Sequence, residues 1–117
     1  FGAQVFTALD AAQELESEGL DVEVIDLRTL APLDKEAILA SVRRTNKALV
    51  LHEAPRTGGI GGEIAGLIAE EAFEWLDAPV VRVGATDTPV PYSPPLEEYH
   101  LPQVKDVMEA ARKLAAY

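Results

Sequence analysis

The sequence predicts an α/β fold of three layers, αβα, with a mostly parallel sheet between two sets of helices. Three observations carry this prediction. Stretches of helical period alternate with short apolar runs in the order helix, strand, helix, strand, helix, strand, helix. Strands separated by helices in this way lie parallel and are joined by right-handed crossovers. One run, Ala48 to Leu51, is continuously apolar, as a strand covered on both faces must be. The 117 residues fit one domain, and 48% hydrophobic against 26% charged residues is a globular composition.

Gln4 to Leu15 carries Val5, Phe6, Ala8, Leu9, Ala12 and Leu15, a broad apolar stripe at helical spacing. Gly19 is placed to end that helix. Leu20 to Leu27 alternates apolar and acidic residues and reads as a strand. Pro32 breaks the chain, and Asp34 is a good N-cap for a helix burying Ile38, Leu39 and Val42. After the Ala48–Leu51 strand and His52-Glu53, a glycine turn (Thr57 to Gly62) leads into a helix. Its stripe of Ile60, Ile64, Leu67, Ile68, Ala72 and Trp75 is expected to run until Ala78-Pro79 ends it. Val80 to Val83 is a third strand. The span from Gly84 to Pro102 holds five of the eight prolines and cannot be regular structure. Pro102 is expected at the first position of a last helix, with Val104, Val107, Met108, Ala111, Leu114 and Ala115 on its apolar face.

This order opens on a helix where such folds open on a strand. Phe1-Gly2 therefore reads as the end of an earlier strand, and the sheet is expected to lack that first, central member. Phe1 in place of Met points the same way, to a fragment of a longer polypeptide.

Twenty Asp and Glu against ten Lys and Arg give a net charge of −10, which argues against nucleic acid and anionic membranes and favours a basic protein partner. With no cysteine there is no disulfide framework and no thiolate site, which fits a reducing compartment. No apolar run reaches membrane-spanning length, and nothing resembles a signal peptide.

The candidate sites are weak when taken from residue types alone. The turn Gly58-Gly59-Ile60-Gly61-Gly62 precedes a helix, where backbone N–H groups could receive a phosphate. The dinucleotide spacing is incomplete, no P-loop Lys follows, and Glu63 would repel an anion. A tight turn with close helix packing is the plainer reading. His52-Glu53 lies at a strand's carboxyl end, where open α/β sheets bind ligands. Adjacent residues point to opposite sides, so a domain or subunit contact suits them better than an acid–base dyad. His100 is a lone loop histidine, and Asp87 suits a turn. Ser17, Ser41 and Ser93 lack a nucleophile's surroundings, and no histidine pairing offers a metal site. Glu70, Glu71 and Glu74 with Asp77 form an acidic run, a solvated face or one suited to a basic partner.

Several blocks in order then resemble one family. Glu23-Val24-Ile25-Asp26-Leu27-Arg28-Thr29-Leu30-Ala31-Pro32-Leu33-Asp34 is similar to a segment of the β subunit of 2-oxo acid dehydrogenases, the decarboxylating components of the pyruvate and branched-chain complexes. His52-Glu53-Ala54-Pro55-Arg56-Thr57-Gly58-Gly59, Glu63-Ile64, Asp77-Ala78-Pro79-Val80, Arg82-Val83, Asp87-Thr88-Pro89-Val90-Pro91-Tyr92 and Leu101-Pro102 follow in family order. The His-Glu-Ala-Pro and Thr-Gly-Gly forms look nearer the branched-chain type.

The resemblance implies a transketolase C-terminal-type domain over residues 1–117, part of a longer β subunit. It implies β–β contacts within an α₂β₂ heterotetramer and docking of the peripheral subunit-binding domain of the dihydrolipoyl acyltransferase core. Thiamine diphosphate and magnesium belong to the intact enzyme, between the α subunit and the other domain of β; no family residue that contacts them, and no catalytic residue, maps here. The fragment alone is expected to be inactive. Asp77 and Tyr117, with its terminal carboxylate, are the expected docking carboxylates. The implied location is the cytoplasm of a bacterium, which is favoured, or the mitochondrial matrix of a eukaryote. Transketolase or another thiamine-dependent relative, and a free-standing flavodoxin-like binding module for a small ligand, are the alternatives.

Overall fold

The structure, a computed structural model, describes residues 4–27, 33–55, 60–85 and 102–117. Helix α1 (Gln4–Ser17) buries Leu15 of the predicted stripe together with Gln4 and Ala11 outside it, whereas Phe6 and Leu9, expected on the apolar face, are exposed. It ends as Gly19 allows: with φ at +87°, Gly19 donates to the Glu16 carbonyl (3.0 Å) and Leu20 to that of Leu15 (3.0 Å). These two bonds satisfy carbonyls the helix end would otherwise orphan, and Leu20 folds back onto the core that holds Leu15.

Helix α2 (Lys35–Thr45) starts at Asp34, whose Oδ1 accepts the Ala37 N–H at 3.2 Å. Strand β1 (Leu49–Pro55) follows, then α3 (Ile60–Glu71), a 3₁₀ turn (Phe73–Trp75), strand β2 (Val81–Ala85) and α4 (Val104–Ala115). β1 and β2 are parallel, pairing Leu49 with Val81, Val50 with Arg82 and Leu51 with Val83. The ladder then slips, so that Pro55 meets Ala85. Successive β1 residues enter different cores, as strand alternation requires. Val50 joins Ile38, Leu39, Val42, Ile64, Ile68 and Ala72 beneath α2 and α3. Leu51 packs with Ala11, Leu15, Val107 and Met108 beneath α1 and α4. The helices thus lie in two layers with the sheet between them.

Four expectations are corrected. Residues 20–27 carry no strand; among the described residues the sheet has two members. The alternation is real, but a strand exists only when a neighbour pairs with it. β1 continues past Leu51 through His52 and Glu53 instead of ending before them. α3 stops at Glu71 rather than running past Trp75, because Ala72 turns to φ −131° and the chain tightens into the 3₁₀ turn. Gln103, not Pro102, precedes the first residue of α4: its N–H donates to the Asp106 carboxylate at 2.8 Å in a capping box, leaving Pro102 just outside. The span 86–101, with Asp87, Ser93 and His100, lies outside the described residues, as do Phe1, Gly2 and Gly58-Gly59.

Candidate docking site

Asn46 organises the corner that carries Asp77. It caps α2 in the left-handed region at φ 64°, a conformation Asn tolerates better than other side chains, and donates its N–H to the Val42 carbonyl at 2.7 Å. Its Nδ2 donates to the Trp75 carbonyl at 2.7 Å, and its own carbonyl accepts the Asp77 N–H at 2.8 Å. One of these three bonds closes α2, and the other two fix the 3₁₀ turn and the start of the path into β2.

Asp77 is held there by its backbone while its side chain stays 61% exposed, 3.8 Å from Lys47 Nζ. Beside it Phe73 and Trp75 are exposed, and Glu70, Glu71 and Glu74 are exposed too. Lys35 meets Glu71 at 3.2 Å, so part of the acidic run is already paired across α2 and α3. Tyr117 is exposed at the end of α4, its N–H donating to the Leu114 carbonyl at 3.3 Å. Asp77 follows the α2–α3 layer and Tyr117 the α1–α4 layer; the partner that the structure gives Asp77 is Lys47, a residue that sequence spacing did not single out.

His52 is 1% exposed, so it makes neither an open acid–base site nor a surface contact. It faces Gly61 in the first turn of α3, and a Cβ on Gly61 would collide with Nε2 and Cδ2 of the imidazole and come within 3.4 Å of Val50 Cγ1. Close packing is therefore what Gly61 is for. The same contact bears on the diphosphate of a thiamine cofactor. The first turn of α3 is seated on a buried imidazole and carries Glu63, so it does not fit an anion. Among the described residues no group of His, Asp and Glu could hold a metal ion. The Ser17 hydroxyl donates to the Glu14 carbonyl at 2.6 Å, a local helix bond rather than a nucleophile's arrangement.

Residues 1–116 match the family model described as transketolase, C-terminal domain. The chain belongs to this family. Among similar proteins, the pyruvate dehydrogenase E1 component subunit beta of Rickettsia conorii is 45% identical over 117 residues, all of this chain and 36% of that protein. That of Bacillus subtilis is 45% identical over the same share of each chain. The mitochondrial subunit beta-1 of Oryza sativa subsp. japonica is 45% identical over 113 residues, 97% of this chain and 30% of that protein. A solved structure titled split gene transketolase, inactive beta4 tetramer, superposes with a TM-score of 0.80 at 34% identity, over 97% of this chain and 35% of that one. The chain thus spans about a third of the length of the curated relatives it matches. These relatives carry pyruvate dehydrogenase names, so the preference for the branched-chain type has no support. They come from bacteria and from mitochondria, and no helix among the described residues is long and apolar enough to cross a membrane.

Proposed function

We propose that this chain is the C-terminal assembly and docking domain of the β subunit of a thiamine diphosphate-dependent 2-oxo acid dehydrogenase, with pyruvate as the substrate class. The carrying observation is 45% identity over all 117 residues to subunits of that name, of which the chain is about a third. The domain joins β to β within an α₂β₂ heterotetramer. The cofactor and magnesium are held by the α subunit and the rest of β, and the chemistry is loss of CO₂ with acyl transfer to lipoamide. By itself the domain performs no step of it. A transketolase is the second reading, supported by the superposition on a split-gene transketolase; 34% identity against 45% favours the dehydrogenase.

The test is reconstitution of full-length β with its α subunit. Pyruvate-dependent CO₂ release with thiamine diphosphate and magnesium is expected, and β lacking this domain is expected to fail to assemble by light scattering. Preference for a branched-chain 2-oxo acid would overturn the substrate reading, and normal assembly without the domain would overturn its role.

Docking of the acyltransferase's basic subunit-binding domain belongs to the same reading, with Asp77 and the Tyr117 carboxylate as acceptors for its Arg and Lys. The exposed aromatics Phe73 and Trp75 beside Asp77 supply the apolar contact that binding hot spots use. Because Asp77 is open to solvent, its contribution is a rim charge, salt-sensitive and about 1 kcal/mol. Asp77→Lys should weaken binding of that domain roughly tenfold at low salt and less at high salt. Unchanged affinity at both would end the docking role of Asp77.

A further inference from the structure

The segment from Glu71 to Asp77 spans α2 from end to end. At the start of that helix Lys35 Nζ lies 3.2 Å from Glu71, where α3 ends. At its far end Asn46 takes the Trp75 carbonyl and offers its own carbonyl to the Asp77 N–H, and Lys47 Nζ lies 3.8 Å from Asp77. A helix of 11 residues is about 16 Å long, so the two lysines face carboxylates at opposite ends of one strip. Between those ends the strip carries Phe73, 73% exposed, and Trp75, 42% exposed. Exposed aromatic rings are the surface that binding anchors use.

Lys47 is placed for more than solvation. Its side chain is only 25% exposed and borders the interior cavity that Val42 and Leu49 also line, so its stem is covered while its ammonium reaches Asp77. Thr45 Oγ1 donates to the Lys47 carbonyl at 3.0 Å, which fixes the backbone from which that stem leaves. Much of the freedom that an ordinary surface pair must give up is therefore already lost. Yet 3.8 Å is too long for a hydrogen bond, so the Asp77 carboxylate keeps its capacity to accept one. Lys47 acts on it as a standing positive charge.

We propose that Lys35 and Lys47 are the selectivity residues of the docking corner: they offset its carboxylates, so that a partner must bring an apolar contact for Phe73 and Trp75 as well as positive charge. The inference rests on the docking reading above and states what kind of basic surface that reading requires. A chain of net charge −10, with Glu70, Glu71, Glu74 and Asp77 in one run, would otherwise hold any polycation. With both ends of the run faced by the protein's own lysines, charge alone gains little there, while burial of the aromatic rings gains as much as before. Discrimination is thus obtained by weakening the wrong partners. A second copy of this chain is a poor occupant, because it would set the same acidic run against this one.

The experiment uses full-length β assembled with its α subunit and two probes at low salt. One is the basic subunit-binding domain, and the other is a lysine decapeptide that offers charge without an apolar face. Lys35→Met with Lys47→Met, which keeps both stems, should raise affinity for the decapeptide roughly tenfold and for the domain by about threefold at most. Phe73→Ser should weaken the domain roughly tenfold and leave the decapeptide unchanged. In an Asp77→Asn background, Lys47→Met should lose most of its effect on the decapeptide. An equal gain for both probes would overturn the proposal and leave the docking reading standing. A domain whose affinity is indifferent to both Phe73→Ser and Asp77→Lys would remove the docking reading, and this inference with it. Loss of the α₂β₂ assembly in Phe73→Ser, seen by light scattering, would assign the aromatic rings to a subunit contact, and the proposal would fall.

Discussion

The two edges of β1 are built on different terms. Toward β2 the strand has a ladder, and the α2–α3 layer is packed onto it so closely that Gly61 admits no side chain over His52. Toward residues 20–27 it meets a cavity, a segment without a ladder and a buried amide oxygen without a donor. Among the described residues the first edge is paired and the second borders open space. The largest expected contrast is between two equally buried leucines. Leu39 is 3% exposed and lies in the α2–α3 core away from the cavity; Leu15 is 1% exposed but borders it. A side chain next to a void has fewer neighbours to lose. Leu39→Ala should therefore cost about 3–5 kcal/mol and Leu15→Ala about 2–3 kcal/mol. Urea unfolding of both measures this, and equal losses would break the contrast.

The next contrast lies within α3. Gly61→Ala should destabilise by about 1–3 kcal/mol despite the better helix propensity of Ala, because the obstacle is the ring of a buried histidine rather than a flexible tip. His52→Ala should relieve part of that loss in a double-mutant cycle. Five residues on, Gly66 is exposed and has nothing within 4 Å of its would-be Cβ, so Gly66→Ala should gain up to about 1 kcal/mol. A neutral Gly61→Ala would mean that the α3–β1 contact is looser than drawn.

The corner at Asn46 sharpens the same comparison at smaller cost. Asn46→Ala loses both the left-handed tolerance and the bond to the Trp75 carbonyl, about 2 kcal/mol; Asn46→Gly keeps the conformation and loses only the bond, about 1 kcal/mol. Trp75 is the sole tryptophan, so its fluorescence reports this corner directly while thermal unfolding gives the stability. Equal losses for the two substitutions would mean that backbone conformation carries no part of the cost.

This corner also marks the limit of what the sequence discloses. The stripe of α3 continues to Ala72 and Trp75 at helical spacing, and period alone extends the helix that far. What stops it is bound up with an amide 29 residues earlier that takes the Trp75 carbonyl, and no local pattern encodes so distant a partner. The caps at Asp34 and Gly19 were legible because capping needs only neighbours along the chain. β1 was legible from its unbroken apolar run and β2 from the short Val80–Val83 segment, whereas Leu20–Leu27 has a strand's pattern without its ladder, since pairing is a property of two segments. For the candidate site, resemblance singled out Asp77, while its neighbour Lys47 and the burial of His52 under Gly61 depend on how elements dock.

The smallest effect concerns how the open side is held shut. Arg112 on α4 clasps Glu18, just past the end of α1, with two bonds, Nε to Oε1 at 2.9 Å and Nη2 to Oε2 at 2.6 Å. The hydrogen bonds from Arg112 are the main reason the Glu18 carboxyl lies below its ordinary range, with the guanidinium's charge adding to them and desolvation opposing. A group whose pKa is depressed on folding contributes stability that is complete above its unfolded value and disappears as pH falls through the folded one. The difference in urea midpoint between the wild type and Glu18→Gln should therefore be constant above the ordinary carboxyl range and shrink as pH falls through the lowered pKa of Glu18. Both partners are solvent-exposed, so the difference is small, and added salt reduces it. Arg112→Lys keeps the charge but not the fork that matches the carboxylate, and should behave more like Glu18→Gln than like the wild type. A difference that persists unchanged into acid would mean that Glu18 acts through its shape. In that case α1, one wall of the cavity, would rest on packing against α4 alone.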